Sequence, residues 1–276
     1  MQIRFQNSPA ETKQMDTEEL RKNFLVGNLV QADTIQLVYT HFDRVIIGGI
    51  KPVNKTLVLP DHPELKADFF LQRREIGIIN VGGAGVIFAD KKEFPINKLD
   101  CLYVGKETKE VIFKSRNRKD PAIFYLLSVP AHHKYPNKLV TKEKASPVNL
   151  GDSATSNKRI IYKYIHPDGI KSCQLVMGLT LLAEGSVWNS VPPHTHTRRM
   201  EVYFYMDVPE QHRVFHFMGE PQETRHLVMA NHEAVISPPW SMHYGCGTSN
   251  YGFIWGMAGE NQAFTDMDPV PVAEIK

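Results

Sequence analysis

Two histidines one residue apart and a glutamate five residues further on, in the run Pro192-Pro193-His194-Thr195-His196-Thr197-Arg198-Arg199-Met200-Glu201, carry the residue types of a metal site. Alternate residues of an extended segment point to one side, so His194 and His196 can offer two imidazoles to a single ion, which adjacent residues could not do. A second stretch, Pro238-Pro239-Trp240-Ser241-Met242-His243, places a histidine after a proline-rich turn and supplies a candidate fourth ligand. Seven of the chain's 12 histidines (His194, His196, His212, His216, His226, His232 and His243) fall between these two motifs, a density that composition alone would seldom produce. Three neutral imidazoles and one carboxylate suit a borderline divalent ion such as zinc, and also iron, nickel, copper or manganese.

The elements that must hold these groups are strands. Glu201 to Met206 reads as one, with further runs at Arg213 to Met218, Arg225 to Met229, Glu233 to Ser237 and Phe253 to Gly259, each punctuated by Gly, Pro or Asn. If Glu201 faces inward, Arg199, Tyr203 and Tyr205 share its side, and Met200, Val202, Phe204 and Met206 form an apolar outer face that needs cover. That outer face calls for packing against the first half of the chain or another subunit, which favours a homo-oligomer, with a hexamer as the candidate assembly.

The first half has the same strand rhythm. Glu75 to Val81 and Val86 to Phe88 flank Gly82-Gly83-Ala84-Gly85, followed by Asp100 to Gly105, Glu110 to Lys114 and Ala122 to Ser128. No Gly-Lys-Ser/Thr follows the glycines, so the turn is not read as a phosphate loop. One helix is predicted over Thr17 to Phe24, capped by Asp16. Tyr135 to Lys158, rich in Lys, Pro, Asn, Ser and Thr, reads as a linker. The chain is thus expected to be all-β, with residues 1–145 forming a barrel without metal and residues 146–276 a metal-binding barrel.

Composition narrows the function classes. The 276 residues include 32 Lys+Arg and 30 Asp+Glu, a net charge of +2 with no basic footprint for nucleic acid. Cys101, Cys173 and Cys246 are widely spaced and form no Cys-x-x-Cys pattern, which fits a reducing cytoplasm. No run has the length or apolarity of a membrane span or a signal peptide.

The two histidine motifs resemble those of the cupin superfamily, although the gap from Gly185 to His194 is long and Trp240 stands where many cupins have glycine. The phrases His194 to Tyr205, Met218-Gly219-Glu220-Pro221-Gln222-Glu223-Thr224-Arg225-His226 and Ser237 to His243 resemble the 5-keto-4-deoxyuronate isomerases, also called 4-deoxy-L-threo-5-hexosulose-uronate ketol-isomerases. That resemblance implies a bicupin of two tandem double-stranded β-helix (jelly-roll) barrels. It implies one zinc ion per subunit on His194, His196, Glu201 and His243, and a small deoxy-keto-uronate as substrate. The implied reaction converts 5-dehydro-4-deoxy-D-glucuronate to 3-deoxy-D-glycero-2,5-hexodiulosonate during pectin or other polyuronate breakdown in the cytoplasm.

Such an isomerisation needs a base, for which Glu201, Glu260 and Glu223 are the candidates, and a cation beside the enediolate oxygens. Arg199 is the candidate partner of the substrate carboxylate, and Tyr203 and Tyr205 are candidate donors to sugar hydroxyls. The same ligands would also serve an iron-dependent cupin dioxygenase or a non-catalytic sugar-binding cupin.

Overall fold

The computed structural model describes residues 1–263 and 265–276. Two compact units account for the chain: residues 1–4, 28–145 and 164–177 form the first, and residues 5–27, 146–163 and 178–276 the second. Among the described residues each unit carries a larger and a smaller sheet, and helices are few and short. The all-β expectation holds.

In the first unit the larger sheet runs Gln2–Arg4, Ile35–Thr40, Ile46–Ile50, Phe124–Pro130, Arg74–Asn80, Cys101–Val104 and Lys138–Val140. The smaller sheet runs Leu57–Val58, Val111–Ser115, Gly85–Ala89 and Lys92–Ile96. Arg74–Asn80 is buried along its whole length, the mark of a central strand covered on both faces. Ile76, Ile78, Ile87, Phe113 and Phe124 join one apolar core, in which the Phe113 and Phe124 rings lie 5.5 Å apart. Phe124→Ala should therefore cost about 3–5 kcal/mol by leaving a cavity there. Urea unfolding followed by fluorescence would measure it, and an unchanged midpoint would place the ring outside the core.

The buried Glu75 carboxylate explains why residues 164–177 belong to this unit. It accepts hydrogen bonds from the Tyr103 hydroxyl at 2.8 Å and from the backbone N–H groups of Cys173, Gln174 and Leu175 at 2.8 to 3.1 Å. A buried carboxylate satisfied in this way is structural, because each donor removes part of its desolvation cost.

The second unit's larger sheet has the order Ser146–Leu150, Arg159–Ile165, Val176–Leu182, Gly252–Gly259, Arg199–Met206, Ala234–Ser237 and Leu25–Val26. Its smaller sheet has the order Trp188–Asn189, Met242–Gly247, Val214–Glu220 and Glu223–Met229. Arg199–Met206 sits near the middle of the larger sheet, flanked by antiparallel partners that pair Glu201 with Met257 on one side and with Ser237 on the other. Met200, Val202, Phe204 and Met206 are fully buried, so the outer face predicted to need cover has it.

The N-terminal helix spans Thr17–Phe24 as predicted. The Asp16 carboxylate accepts from the Glu19 N–H and the Glu19 carboxylate from the Asp16 N–H, a reciprocal cap. Leu20 and Phe24 are buried, and Leu25–Val26 then pairs with Ala234–Ser237, which places residues 5–27 in the second unit. A second helix, Pro9–Gln14, escapes sequence reading because six residues hold too little apolar periodicity to announce it. The stretch read as a linker contains the strands Lys138–Val140 and Ser146–Leu150, paired to Cys101–Val104 and Arg159–Ile165. Edge strands need only one partner and tolerate the Lys, Pro and Asn that argue against a strand. Among the described residues no helix is long and apolar enough to cross a membrane.

Candidate metal centre and the cavity beside it

The ligand residues come from three places in the second unit. His194 lies in the short strand His194–Thr195, paired with Asp268–Pro269, and His196 follows it in the turn before Arg199. Glu201 projects from the larger sheet, and His243 comes from Met242–Gly247 in the smaller one. The candidate ligand atoms of these four residues all lie within 4.8 Å of one another. The Glu201 Oε2 atom is 3.0 Å from His196 Nε2 and 2.8 Å from His243 Nε2, and the Nε2 atoms of His194 and His243 are 3.1 Å apart. Neighbouring ligands bound at about 2.1 Å to one ion have separations of roughly 3.0–3.4 Å.

The tautomers make the fit chemical as well as geometric. His196 Nδ1 lies 2.8 Å from the Arg199 carbonyl oxygen, which can only accept, so the ring hydrogen sits on Nδ1. His243 Nδ1 faces the Ser241 carbonyl oxygen at 3.3 Å and the Ser237 hydroxyl at 3.2 Å, with the same result. In the neutral rings both Nε2 lone pairs then converge on a carboxylate oxygen. That arrangement calls for a cation or a proton among the atoms: burial lowers the His196 imidazole, but the Glu201 carboxylate outweighs it and raises it, and backbone carbonyls fixing the outer nitrogen are what metal-binding histidines have.

Electrostatics agree. Burial and the neighbouring His243 push the His194 imidazole down to about 3, so it stays neutral. Burial alone would raise the Glu201 carboxyl, but His243 and His196 outweigh it and hold it below the usual carboxylate range. The donor set fits a divalent metal ion.

A cavity of about 230 Å³ opens beside this cluster, and His194, Arg199, Glu201 and Tyr203 line it. Much of the remaining wall is apolar, including Leu150, Ile161, Phe253, Trp255 and Met257. Arg199 is fully buried. Its Nη2 donates to the Asp266 carbonyl oxygen at 3.0 Å, and its Nε and Nη1 groups have no hydrogen-bond partner. The register pairs Arg199 with Gly259, where a β-carbon would come within 2.2 Å of the Arg198 carbonyl oxygen, so only glycine admits this approach. The exposed end of Arg198 pairs instead with Asp266 and Asp268, which ties the segment after Gly259 to the histidine turn.

The other site residues expected from the sequence divide. The Tyr203 hydroxyl is 2.7 Å from Ser190 Oγ at the cavity wall, and burial pushes its phenol well above the usual value. Tyr205 is not among the described residues that line the cavity. Two residues further along the strand, its hydroxyl bonds His216 Nδ1 at 2.7 Å in the buried interior of the unit. Burial and His243 push that imidazole down to about 3, and its Nε2 has no partner. Glu260 is exposed in the turn after Gly252–Gly259, and its backbone N–H, rather than its carboxylate, makes the contact with Arg198. Glu223 pairs with Arg225 and Lys13, also away from the cavity.

Sequence reading missed Arg159, Ser190, Trp255 and Met267, which line the cavity, and Asp266, which orients two arginines. Arg159 opens the run Arg159 to Ile165, which reads as a strand, and Ser190 lies between the turn at Ala183 to Ser186 and the histidine motif, so no local signal marks either as a site residue.

A three-histidine, one-carboxylate cluster between the two sheets of an all-β unit defines a protein of cupin-like fold with a candidate metal site. Solved structures agree on the fold alone. They include an IolB-like protein of Salmonella typhimurium (TM-score 0.68, 14% identity, 90% of this chain and 97% of that one) and an oxalate decarboxylase of Bacillus subtilis (TM-score 0.55, 10% identity, 79% and 70%). The chain belongs to the KduI/IolB family, whose sequence profile matches residues 28–270. Over its full length, and theirs, it is 52% identical to the proteins named 4-deoxy-L-threo-5-hexosulose-uronate ketol-isomerase in Caldicellulosiruptor bescii and Halalkalibacterium halodurans. It is 53% identical, again over both full lengths, to the protein of that name in Yersinia pestis.

Proposed function

We propose that this protein is a zinc-dependent ketol-isomerase converting 5-dehydro-4-deoxy-D-glucuronate to 3-deoxy-D-glycero-2,5-hexodiulosonate in polyuronate breakdown. It works in the cytoplasm as a homo-oligomer, and its paired sheets are two tandem cupin barrels. The observation that carries the reading is a ligand cluster that shares one cavity with buried, under-partnered guanidinium groups, in a chain so close over its whole length to proteins of that name. The fold alone would not choose the chemistry, since oxalate decarboxylase shares it.

His194, His196, Glu201 and His243 would hold the ion, which when bound supplies Lewis acidity to the carbonyl and hydroxyl oxygens at C1 and C2. Glu201 lies beside those oxygens. Its Oε2 faces His196 and His243, which leaves Oε1 to take the proton from C2 and return it to C1. The C2–H bond breaks, the C1–H bond forms, and the aldehyde becomes a hydroxymethyl group as the C2 hydroxyl becomes the ketone. Among the described residues lining the cavity Glu201 supplies the carboxylate, whereas Glu260 and Glu223 lie elsewhere. Tyr203, kept protonated by burial, donates to a substrate oxygen rather than acting as the base. The unpartnered N–H groups of Arg199, next to Glu201 on the same strand face, fit an anionic substrate oxygen at this end of the cavity.

Purified protein analysed for metal and then assayed without oxygen tests the reading. One zinc per chain with oxygen-independent isomerisation of the 4-deoxyuronate is the expected result. Oxygen consumption tied to bound iron would instead make the protein a dioxygenase, and sugar binding without turnover would make it a non-catalytic cupin.

A further inference from the structure

Arg159 is a half-buried cation on the cavity wall for which the structure provides no acidic partner. Its Nη1 donates to the Asn157 carbonyl oxygen at 2.9 Å, and the described residues supply no other hydrogen bond or ion pair to the guanidinium. The charged groups nearest to it electrostatically are the phenols of Tyr203 and Tyr251, both held protonated by burial. Arg198 is neutralised by Asp266 and Asp268, and Arg199 has Asp266 within 4.0 Å. A desolvated cation against Leu150, Ile161, Phe253 and Trp255 is costly unless an anion joins it, so the wall around Arg159 is built to receive one.

Its position in the sheet says which anion. The strand Arg159–Ile165 is separated from the Glu201 strand by Val176–Leu182 and Gly252–Gly259, three inter-strand steps or roughly 14 Å between backbones. Arg159 thus lines the cavity from a strand well removed from that of Glu201, whereas Arg199 lies on the Glu201 strand itself. Arg199 occupies the ligand end. In a six-carbon uronate held by its C1 and C2 oxygens beside Glu201, the carboxylate is the group at the far end.

We propose that Arg159 is the specificity-determining residue that reads the substrate carboxylate, so that the cavity selects acidic over neutral six-carbon sugars. The inference rests on the isomerase reading for the orientation of the substrate but not for the presence of an anion site. A guanidinium pairs with a carboxylate through two parallel hydrogen bonds, and lysine at this position would keep the charge without the fork.

The test uses binding without turnover. Metal-loaded wild-type protein, Arg159→Met and Arg159→Lys are titrated calorimetrically with D-glucuronate and with D-glucose, which differ by the carboxylate. Wild type should prefer the acid by at least about tenfold, and Arg159→Met should fall to near parity by losing affinity for the acid alone. Arg159→Lys should lie between them, with metal content and glucose affinity unchanged throughout. In steady state Arg159→Met should raise KM for the deoxy-uronate by about 10–100-fold while kcat changes little. An Arg159→Met protein that keeps the acid-to-neutral ratio, or a wild type with no preference for the acid, overturns the proposal. A wild type that prefers the acid but does not isomerise the 4-deoxy-uronate sinks the isomerase reading and leaves the carboxylate site standing.

Discussion

His243→Ala should abolish stoichiometric metal binding and lower isomerase activity by at least on the order of 10³-fold while the second unit stays folded. His243 is the one ligand supplied by the smaller sheet, and its Nε2 lies 2.8 Å from Glu201 Oε2 and 3.1 Å from His194 Nε2. Without it three donors remain, from His194, His196 and Glu201. The fold should survive, because Met242–Gly247 is held by its ladder to Val214–Glu220 and by buried Met242 and Tyr244, none of which needs the imidazole. Added metal should raise the melting temperature of wild type but not of the variant. Elemental analysis beside thermal melts of the loaded and stripped proteins decides the matter. A variant that retains one metal per chain would show the fourth ligand to be another residue.

Arg199→Met should leave the metal in place and lower kcat/KM by about 10²–10³-fold, equivalent to roughly 3–4 kcal/mol of lost transition-state stabilisation. Methionine keeps the buried bulk but removes the Nε and Nη1 groups, which find no hydrogen-bond partner among the described residues. Lysine should recover only part of the loss, since it restores charge without planar geometry. The bond from Nη2 to the Asp266 carbonyl oxygen is lost as well, yet Arg198 still grips the Asp266 carboxylate, so the segment after Gly259 should stay docked. Metal content near one per chain, with kcat/KM within about threefold of wild type, would remove Arg199 from the substrate's surroundings. Together with the Arg159 variants this separates the two ends of the cavity: Arg199 acts on the reacting oxygens, and Arg159 on the distant carboxylate.

The sequence by itself determined the parts that rest on local geometry. His194, His196 and Glu201 lie within eight residues, so a strand-and-turn conformation largely fixes their relation, and the proline-rich motif before His243 marks the fourth ligand. The all-β class and the Thr17–Phe24 helix follow from two-residue and 3.6-residue periodicities that each segment carries within itself. Tertiary structure decided what depends on strand pairing across long separations. It put Tyr203 on the cavity and turned the Tyr205 hydroxyl to His216, although parity gave both the same side. It left Glu260 exposed and carried Asp266 to Arg198 and Arg199. It also brought Arg159, at the start of a run that reads as a strand, to the wall of a cavity formed largely by residues more than 20 positions away. Register and sheet order are set by which apolar faces bury together, and nothing within a dozen residues of Arg159 records that choice.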